Sequence, residues 1–141
     1  MRVFALRLKP IATVVNTVSE DIRDWDEVES RLVFEKEYVP GLYKLERFKH
    51  IWVIFGFHKK RGWSARVHPM HDPNRPLVGV FATRSPKRPN RLGLTLVELV
   101  SIRGNIVRVR GLDAYNGSPV WDIKPYEKEI VYDSQDRRKS R

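Results

Sequence analysis

The 141-residue sequence contains no cysteine. Disulfides, cysteine nucleophiles, iron–sulfur clusters and thiolate zinc sites are therefore excluded, and stability has to come from packing. Long apolar runs are missing as well. None approaches the roughly 20 residues that span a bilayer, and the N-terminus, with Arg2, Arg7 and Lys9 among short apolar pieces, has no signal-peptide core. A cytosolic, cytoplasmic protein with no membrane contact is the expectation. No glycine-rich loop opens a long helix, so phosphate loops and dinucleotide fingerprints are absent, and no serine sits in a G-x-S-x-G elbow. His58, His68, His71 and Asp72 have neither the spacing nor the fourth strong ligand of a compact zinc site, so no metal is expected.

Acidic residues are scarce in one stretch only. The formal net charge is +10, yet residues 1–56 carry 9 basic and 9 acidic side chains and residues 111–141 carry 6 and 6. Between Phe57 and Arg110 there are 12 basic residues against Asp72 and Glu98 alone. The whole excess lies in that middle segment. Clustered Lys and Arg displace counterions condensed on phosphates, so a polyanionic partner is implied.

With 41% hydrophobic and 11% aromatic residues, the chain has enough apolar material for one packed domain. No repeat or linker divides it; residues 1–132 read as the domain and 133–141 as a charged tail. Ile11–Thr17, Arg31–Glu35, Ile51–Phe57, Leu77–Ala82, Leu94–Ile102, Ile106–Arg110 and Glu129–Tyr132 are short runs rich in β-branched and aromatic residues, bounded by turn formers, and are predicted strands. Arg103-Gly104-Asn105 signals a tight hairpin, after which Val107 and Val109 fall on one face and Arg108 and Arg110 on the other. Residues 43–48 suit a short amphipathic helical turn, and 21–30 fit either helix or loop. Many short strands with one or two short helices predict a mainly β fold, a single-domain small β-barrel, closed or nearly so.

Three segments could carry chemistry. Residues 79–93 run from a strand into a proline-stiffened loop that presents Arg84, Lys87, Arg88 and Arg91. A rigid basic loop loses less entropy on binding than a mobile one and can position a reacting group. Residues 111–126 hold the Asn116-Gly117 turn, which predicts two short strands side by side with Asp113 and Asp122 as neighbours. A carboxylate there can accept ribose hydroxyls or a proton, although an aspartate in such a place is also an ordinary turn former. The apolar strand 48–57 ends in His58 and Lys59, where a rigid scaffold presents side chains from a loop.

Leu45-Glu46-Arg47-Phe48-Lys49-His50-Ile51-Trp52-Val53, then Gly79-Val80-Phe81-Ala82-Thr83-Arg84-Ser85 through Arg88-Pro89-Asn90, then Asp113, Asn116-Gly117-Ser118-Pro119-Val120 and Asp122-Ile123-Lys124-Pro125-Tyr126 together resemble the TrmO, or YaeB-like, family. The resemblance covers about residues 10–126. It implies a β-barrel methyltransferase, usually a homodimer, that transfers a methyl group from S-adenosyl-L-methionine to N6 of threonylcarbamoyladenosine beside the anticodon of threonine tRNA. By the same resemblance the methyl donor should lie against His58, Lys59, Arg84, Leu94, Leu112, Asp113 and Ala114. Lys87, Arg88, Pro89 and Asn90 should face the tRNA. Asp113, and after it Tyr126, are the expected bases for the acceptor proton. Two departures stand out: residues 19–29 are acidic where bacterial relatives carry a Pro-Arg-Gln loop against the cofactor, and no counterpart of their C-terminal domain is expected. The rival reading is a non-catalytic RNA-binding barrel in which Trp63, Phe81 and Tyr115 stack bases.

Overall fold

The computed structural model describes residues 3–20, 22, 24–59 and 61–127. The expected strand at 129–132 and the tail at 133–141 lie outside them. Among the described residues eight strands are formed, in chain order: β1 (Ala12–Val15), β2 (Glu29–Phe34), β3 (His50–Gly56), β4 (Arg66–Val67), β5 (Val78–Gly79), β6 (Leu92–Arg103), β7 (Ile106–Arg110) and β8 (Pro119–Pro125). Six of them close into an antiparallel barrel in the order β1-β2-β7-β6-β3-β8, and β4 and β5 form a separate ribbon.

Period-two alternation fills the interior. Val14, Leu32, Ile51, Val53, Phe55, Val97, Val107, Val109 and Val120 are essentially without solvent exposure, while Arg31, Glu98 and Arg108 on the same strands face out. Each such side chain contributes about 1.5–3 kcal/mol by burial, and together they specify the register, since a one-residue slip would turn the set outward. Bulges at Val100 of β6 and at Trp121 of β8 supply the local bending a small barrel needs. The β6–β7 hairpin closes through two residues, with Gly104 at φ 58 in the first position.

Three expectations are revised. The strand predicted at 77–82 shrinks to Val78–Gly79, because the chain turns into a 3-10 helix at Val80–Ala82. The helical turn at 43–48 is 3-10 as well, at Leu45–Arg47, preceded by another at Lys36–Leu42. The turn at Asn116-Gly117 is present, but it does not place two paired strands side by side. Residues 112–115 leave the sheet after Gly111 (φ 93), and Leu112 and Ala114 are buried as a plug. β8 pairs instead with β1 and β3. Asp122 is consequently not partnered with Asp113; its carboxylate accepts from the Ile123 N–H at 2.9 Å and faces Lys124 Nζ at 3.2 Å.

Antiparallel order puts three long connections at one end of the barrel: 16–28 after β1, 57–91 after β3 and 111–118 after β7. This end is the mouth. The opposite end has the β6–β7 hairpin and the 3-10 turns of 35–49.

Candidate active site at the barrel mouth

The mouth is organised by backbone-directed polar groups before any ligand is considered. Asn16, just past β1, donates through Nδ2 to the buried Ser30 hydroxyl (2.9 Å) and to the Ala114 carbonyl (2.9 Å), and its Oδ1 accepts from the Val18 N–H (2.9 Å). Asn116 returns the tie, its Oδ1 accepting from the Asn16 N–H at 3.1 Å. Segment 113–116 is thereby tied twice to Asn16.

The proline-stiffened loop is held by one of its own arginines. Arg88 Nη1 donates to the carbonyls of Thr83 (2.7 Å), Val80 (3.1 Å) and Ser85 (3.4 Å), and its guanidinium lies 5.8 Å from the centre of the Phe81 ring. Arg84, released from that task, reaches back to β6, donating to the Leu94 carbonyl and to Thr95 Oγ1 at 3.3 Å. The Thr95 hydroxyl in turn donates to Asp113 Oδ1. A chain Arg84–Thr95–Asp113 thus joins the basic loop, the barrel wall and the plug. It holds one carboxylate oxygen in place.

Asp113 and Arg84 open onto a cleft of about 370 Å³. Trp25, Phe55, Phe57 and Tyr115 line it, together with Lys59, Ser85, Pro86 and the segment 68–71. The volume lies within the roughly 300–1,000 Å³ of small-molecule sites, and an apolar lining with a few convergent polar groups is their usual composition. Trp25 and Tyr115 rings stand 6.0 Å apart, and Lys59 Nζ lies 5.3 Å from the Tyr115 ring centre while donating to the Ser19 carbonyl at 3.2 Å. Met70 and His71 both take left-handed backbone angles (φ 56 and 57), and Met70 is 79% exposed at the cleft's edge.

One glycine sets the depth of the cleft. A Cβ on Gly93 would collide with the Phe55 ring, so only glycine lets that ring lie flat against β6 as the cleft floor.

Of the residues the resemblance assigned to the methyl donor, Lys59, Arg84, Asp113 and Ala114 line this cleft. Leu112 lies fully buried beneath it. The side chain of Leu94 faces a neighbouring cleft, although its carbonyl holds Arg84. His58 is not part of the lining: it faces Ser118, Nδ1 to Oγ at 3.2 Å. The Ser118 hydroxyl donates to the Tyr115 carbonyl at 2.7 Å, so its oxygen accepts from His58 Nδ1–H. Partial burial, and then the Lys59 charge, hold the imidazole below its ordinary pKa. His58 therefore supports the Tyr115 segment from behind.

Among the tRNA-facing candidates, Lys87, Pro89 and Asn90 are exposed beside the cleft, whereas Arg88 is the loop's internal clamp. Tyr126 lies on the outer wall, edge-on to His50 (6.4 Å) and Trp52 (6.2 Å), and does not line the cleft. Trp25, Asn16, Thr95 and Gly93 were not singled out from the sequence. Asn directly after a strand is the one usable signal among them, because its side chain readily ties loop backbone. His68 Nδ1 lies 2.7 Å from the Arg75 carbonyl oxygen, and among the described residues no three His, Asp or Glu side chains gather into a metal position.

A closed antiparallel barrel with an aromatic cleft at its mouth has the form of a small-ligand-binding β-barrel. Residues 17–132 match the tRNA-methyltransferase O N-terminal domain, and the chain belongs to that family. It is 41% identical over 129 residues to an S-adenosyl-L-methionine-binding protein of Archaeoglobus fulgidus, covering 87% of this chain and 91% of that one. It is 47% identical over 96 residues to the human tRNA (adenine(37)-N6)-methyltransferase, covering 67% of this chain and 21% of the human protein. The crystal structure of TrmO from Pseudomonas aeruginosa superposes with a TM-score of 0.72 at 26% identity, covering 93% of this chain and 60% of that one. The chain thus spans nearly the whole archaeal relative but little more than half of the bacterial TrmO chain. Among the described residues no helix is long and apolar enough to cross a membrane.

Proposed function

We propose that this chain is an S-adenosyl-L-methionine-dependent tRNA methyltransferase that acts, as a homodimer, on N6 of threonylcarbamoyladenosine beside the anticodon of threonine tRNA. The observation that carries the reading is the Arg84–Thr95–Asp113 chain, which ends in a fixed carboxylate at an aromatic cleft. Bound in the cleft, S-adenosyl-L-methionine supplies a methyl group on a positively charged sulfur. The residues present fit such a group: the faces of Trp25, Phe57 and Tyr115 and the Asp113 carboxylate all favour a cation, and no metal or covalent intermediate is required. The name of the archaeal relative supports the cofactor, and that of the human relative supports N6 of a tRNA adenine as the acceptor position.

The acceptor nitrogen is a poor nucleophile, because its lone pair is delocalised into the purine and the carbamoyl group. Asp113 answers that weakness. With S-adenosyl-L-methionine held in the cleft, its sulfonium would give up the methyl group and keep the electron pair of the broken carbon–sulfur bond, and the Asp113 carboxylate would take the proton that the acceptor nitrogen loses. Thr95 keeps Oδ1 occupied and Arg84 fixes Thr95, so the carboxylate is held in one orientation. The mouth's cations, Arg61 and Lys87 among them, meet the tRNA backbone.

Calorimetry with S-adenosyl-L-methionine, followed by transfer of labelled methyl to tRNA with and without the threonylcarbamoyl group, tests the proposal. Binding, and transfer that depends on the modification, are expected. The rival RNA-binding reading draws on Phe81 and Trp63, aromatic side chains 75% and 57% exposed on the basic connection. Tight tRNA binding with no cofactor affinity, even in the complex, would put that reading ahead.

A further inference from the structure

A second cleft, of about 350 Å³, is lined by Arg84, Thr95 and Asp113 as well. It shares Phe55, Phe57, Thr83, Arg84 and Asp113 with the first. Its own walls are Trp52, Leu92 and the Leu94 side chain, on the outer face of β3 and β6, with Arg88 at the edge. Outward positions of a barrel strand are ordinarily polar, yet Leu92 and Leu94 are 42% and 50% exposed there. Trp52 is braced edge-on by Tyr126 at 6.2 Å.

We infer that this second cleft receives the acceptor base, a flipped-out purine lying against Trp52 and Leu92 with its exocyclic nitrogen directed at Asp113, which lines both clefts. The inference rests on the methyltransferase reading above. Direct methyl transfer brings donor carbon and acceptor nitrogen to within about 3–3.5 Å, so an acceptor site has to adjoin the donor site and meet it at the reactive groups. The second cleft adjoins the first, and the residues they share include the carboxylate that takes the proton. Enzymes that modify a base take it out of the stack into a slot with flat apolar walls and a polar group for its edge. Trp52 and Leu92 are such walls, and Asp113 is such a group. Arg88 and Arg84 give the slot the sign of charge that suits the phosphates flanking a flipped nucleotide.

The test separates donor from acceptor binding in the full chain. Trp52→Ala should weaken tRNA binding or raise its KM by roughly 5- to 100-fold, the range for losing one aromatic stack, while the S-adenosyl-L-methionine Kd moves less than about twofold. Tyr115→Ala should do the reverse. Leu92→Ser, which removes apolar wall at a half-exposed position without touching the core, should follow Trp52→Ala in kind and guards against a folding defect, checked by circular dichroism. The inference is overturned if Trp52→Ala weakens the cofactor as much as Tyr115→Ala does, or if both outer-wall variants leave tRNA parameters unchanged. It is also overturned if sedimentation shows that they convert a dimer to monomer with no tRNA defect, because a second copy of the chain would then cover this face. A wild-type protein that neither binds the cofactor nor methylates tRNA would end the methyltransferase reading itself, and this inference with it; a normal wild type with unaffected variants would end the inference alone.

Discussion

The mouth of the barrel and its outer wall are built from the same charged residue types and use them in opposite ways. On the wall, Glu29 lies against Arg108 at 2.5 Å and Arg110 at 4.0 Å, Arg110 also meets Glu98 at 3.0 Å, and Asp122 faces Lys124. Each of these charges has an opposite one beside it, in water, where such pairs contribute little. At the mouth, Arg84 and Arg88 are committed to backbone carbonyls and a hydroxyl, and Asp113 to a threonine. A cation engaged by neutral oxygens keeps its field. The middle segment's excess of basic residues is therefore not one surface: β7 is largely neutralised by Glu29 and Glu98, and the positive potential belongs to the connection between β3 and β6.

Asp113 against Asp122 is the sharpest way to break this distinction. Asp113→Asn keeps shape and removes charge, and is expected to lower single-turnover methyl transfer by about 10²–10⁴-fold at saturating cofactor. Asp122→Asn, on the wall, should cost less than about twofold. Equal effects would mean that the mouth's carboxylate has no special part in the chemistry.

Arg84 against Arg108 comes next. Arg84→Ala removes charged hydrogen bonds that fix Thr95 and, through it, Asp113, and is expected to reduce turnover by about 10- to 100-fold. Arg108→Ala removes the same formal charge from a solvated pair and should stay within about twofold. Matching losses would show that only bulk charge matters.

A smaller effect concerns salt. Neutralising Lys87 leaves one tRNA phosphate without its cation and should lower the magnitude of the slope of log K against log salt by about 0.7–0.9. Neutralising Arg110 should leave the slope unchanged, since its pairing with Glu98 and Glu29 already offsets it. A larger change from Arg110 would move the RNA surface from the mouth to the wall.

How far all this was legible in the sequence follows the same division. The wall was readable, because period-two alternation is a local signal: Ile106–Arg110 is β7 to the residue, and Val107 and Val109 point inward as predicted. The mouth was readable by residue type but not by partner. Arg88 looked like a ligand-binding group because it lies in a basic loop; that it gathers three carbonyls depends on how Val80–Ser85 turns back on itself. Asp113 and Asp122 looked like neighbours because Asn-Gly signals a hairpin, but burial of Leu112 and Ala114 pulls the first arm out of the sheet. Gly93 carried no local signal at all, since its necessity comes from a ring on the adjacent strand.

The smallest effect tests whether the mouth's back wall is sensitive to protons while the outer wall is not. His58 donates from Nδ1 to Ser118, which donates to the Tyr115 carbonyl, and burial followed by Lys59 lowers the imidazole's pKa in the folded chain. Between that lowered value and the ordinary one near 6.5, the unfolded chain binds more proton than the folded chain, so stability rises with pH. Its contribution is complete above about 6.5 and is lost as pH falls through the folded value. His58→Asn offers an amide donor in place of Nδ1–H and does not titrate. The wild type should therefore lose more Tm than the variant between about pH 7.5 and pH 5, by on the order of one or two degrees, because the ring is mostly in solvent. The added proton goes to Nε2 and leaves the Nδ1–H donation to Ser118 in place, so cofactor affinity is expected to follow the same pH course in wild type and variant. Parallel melting curves for the two proteins across that range would show that His58 is only a solvated neighbour, leaving the Asn16 and Asn116 ties as what holds segment 113–118.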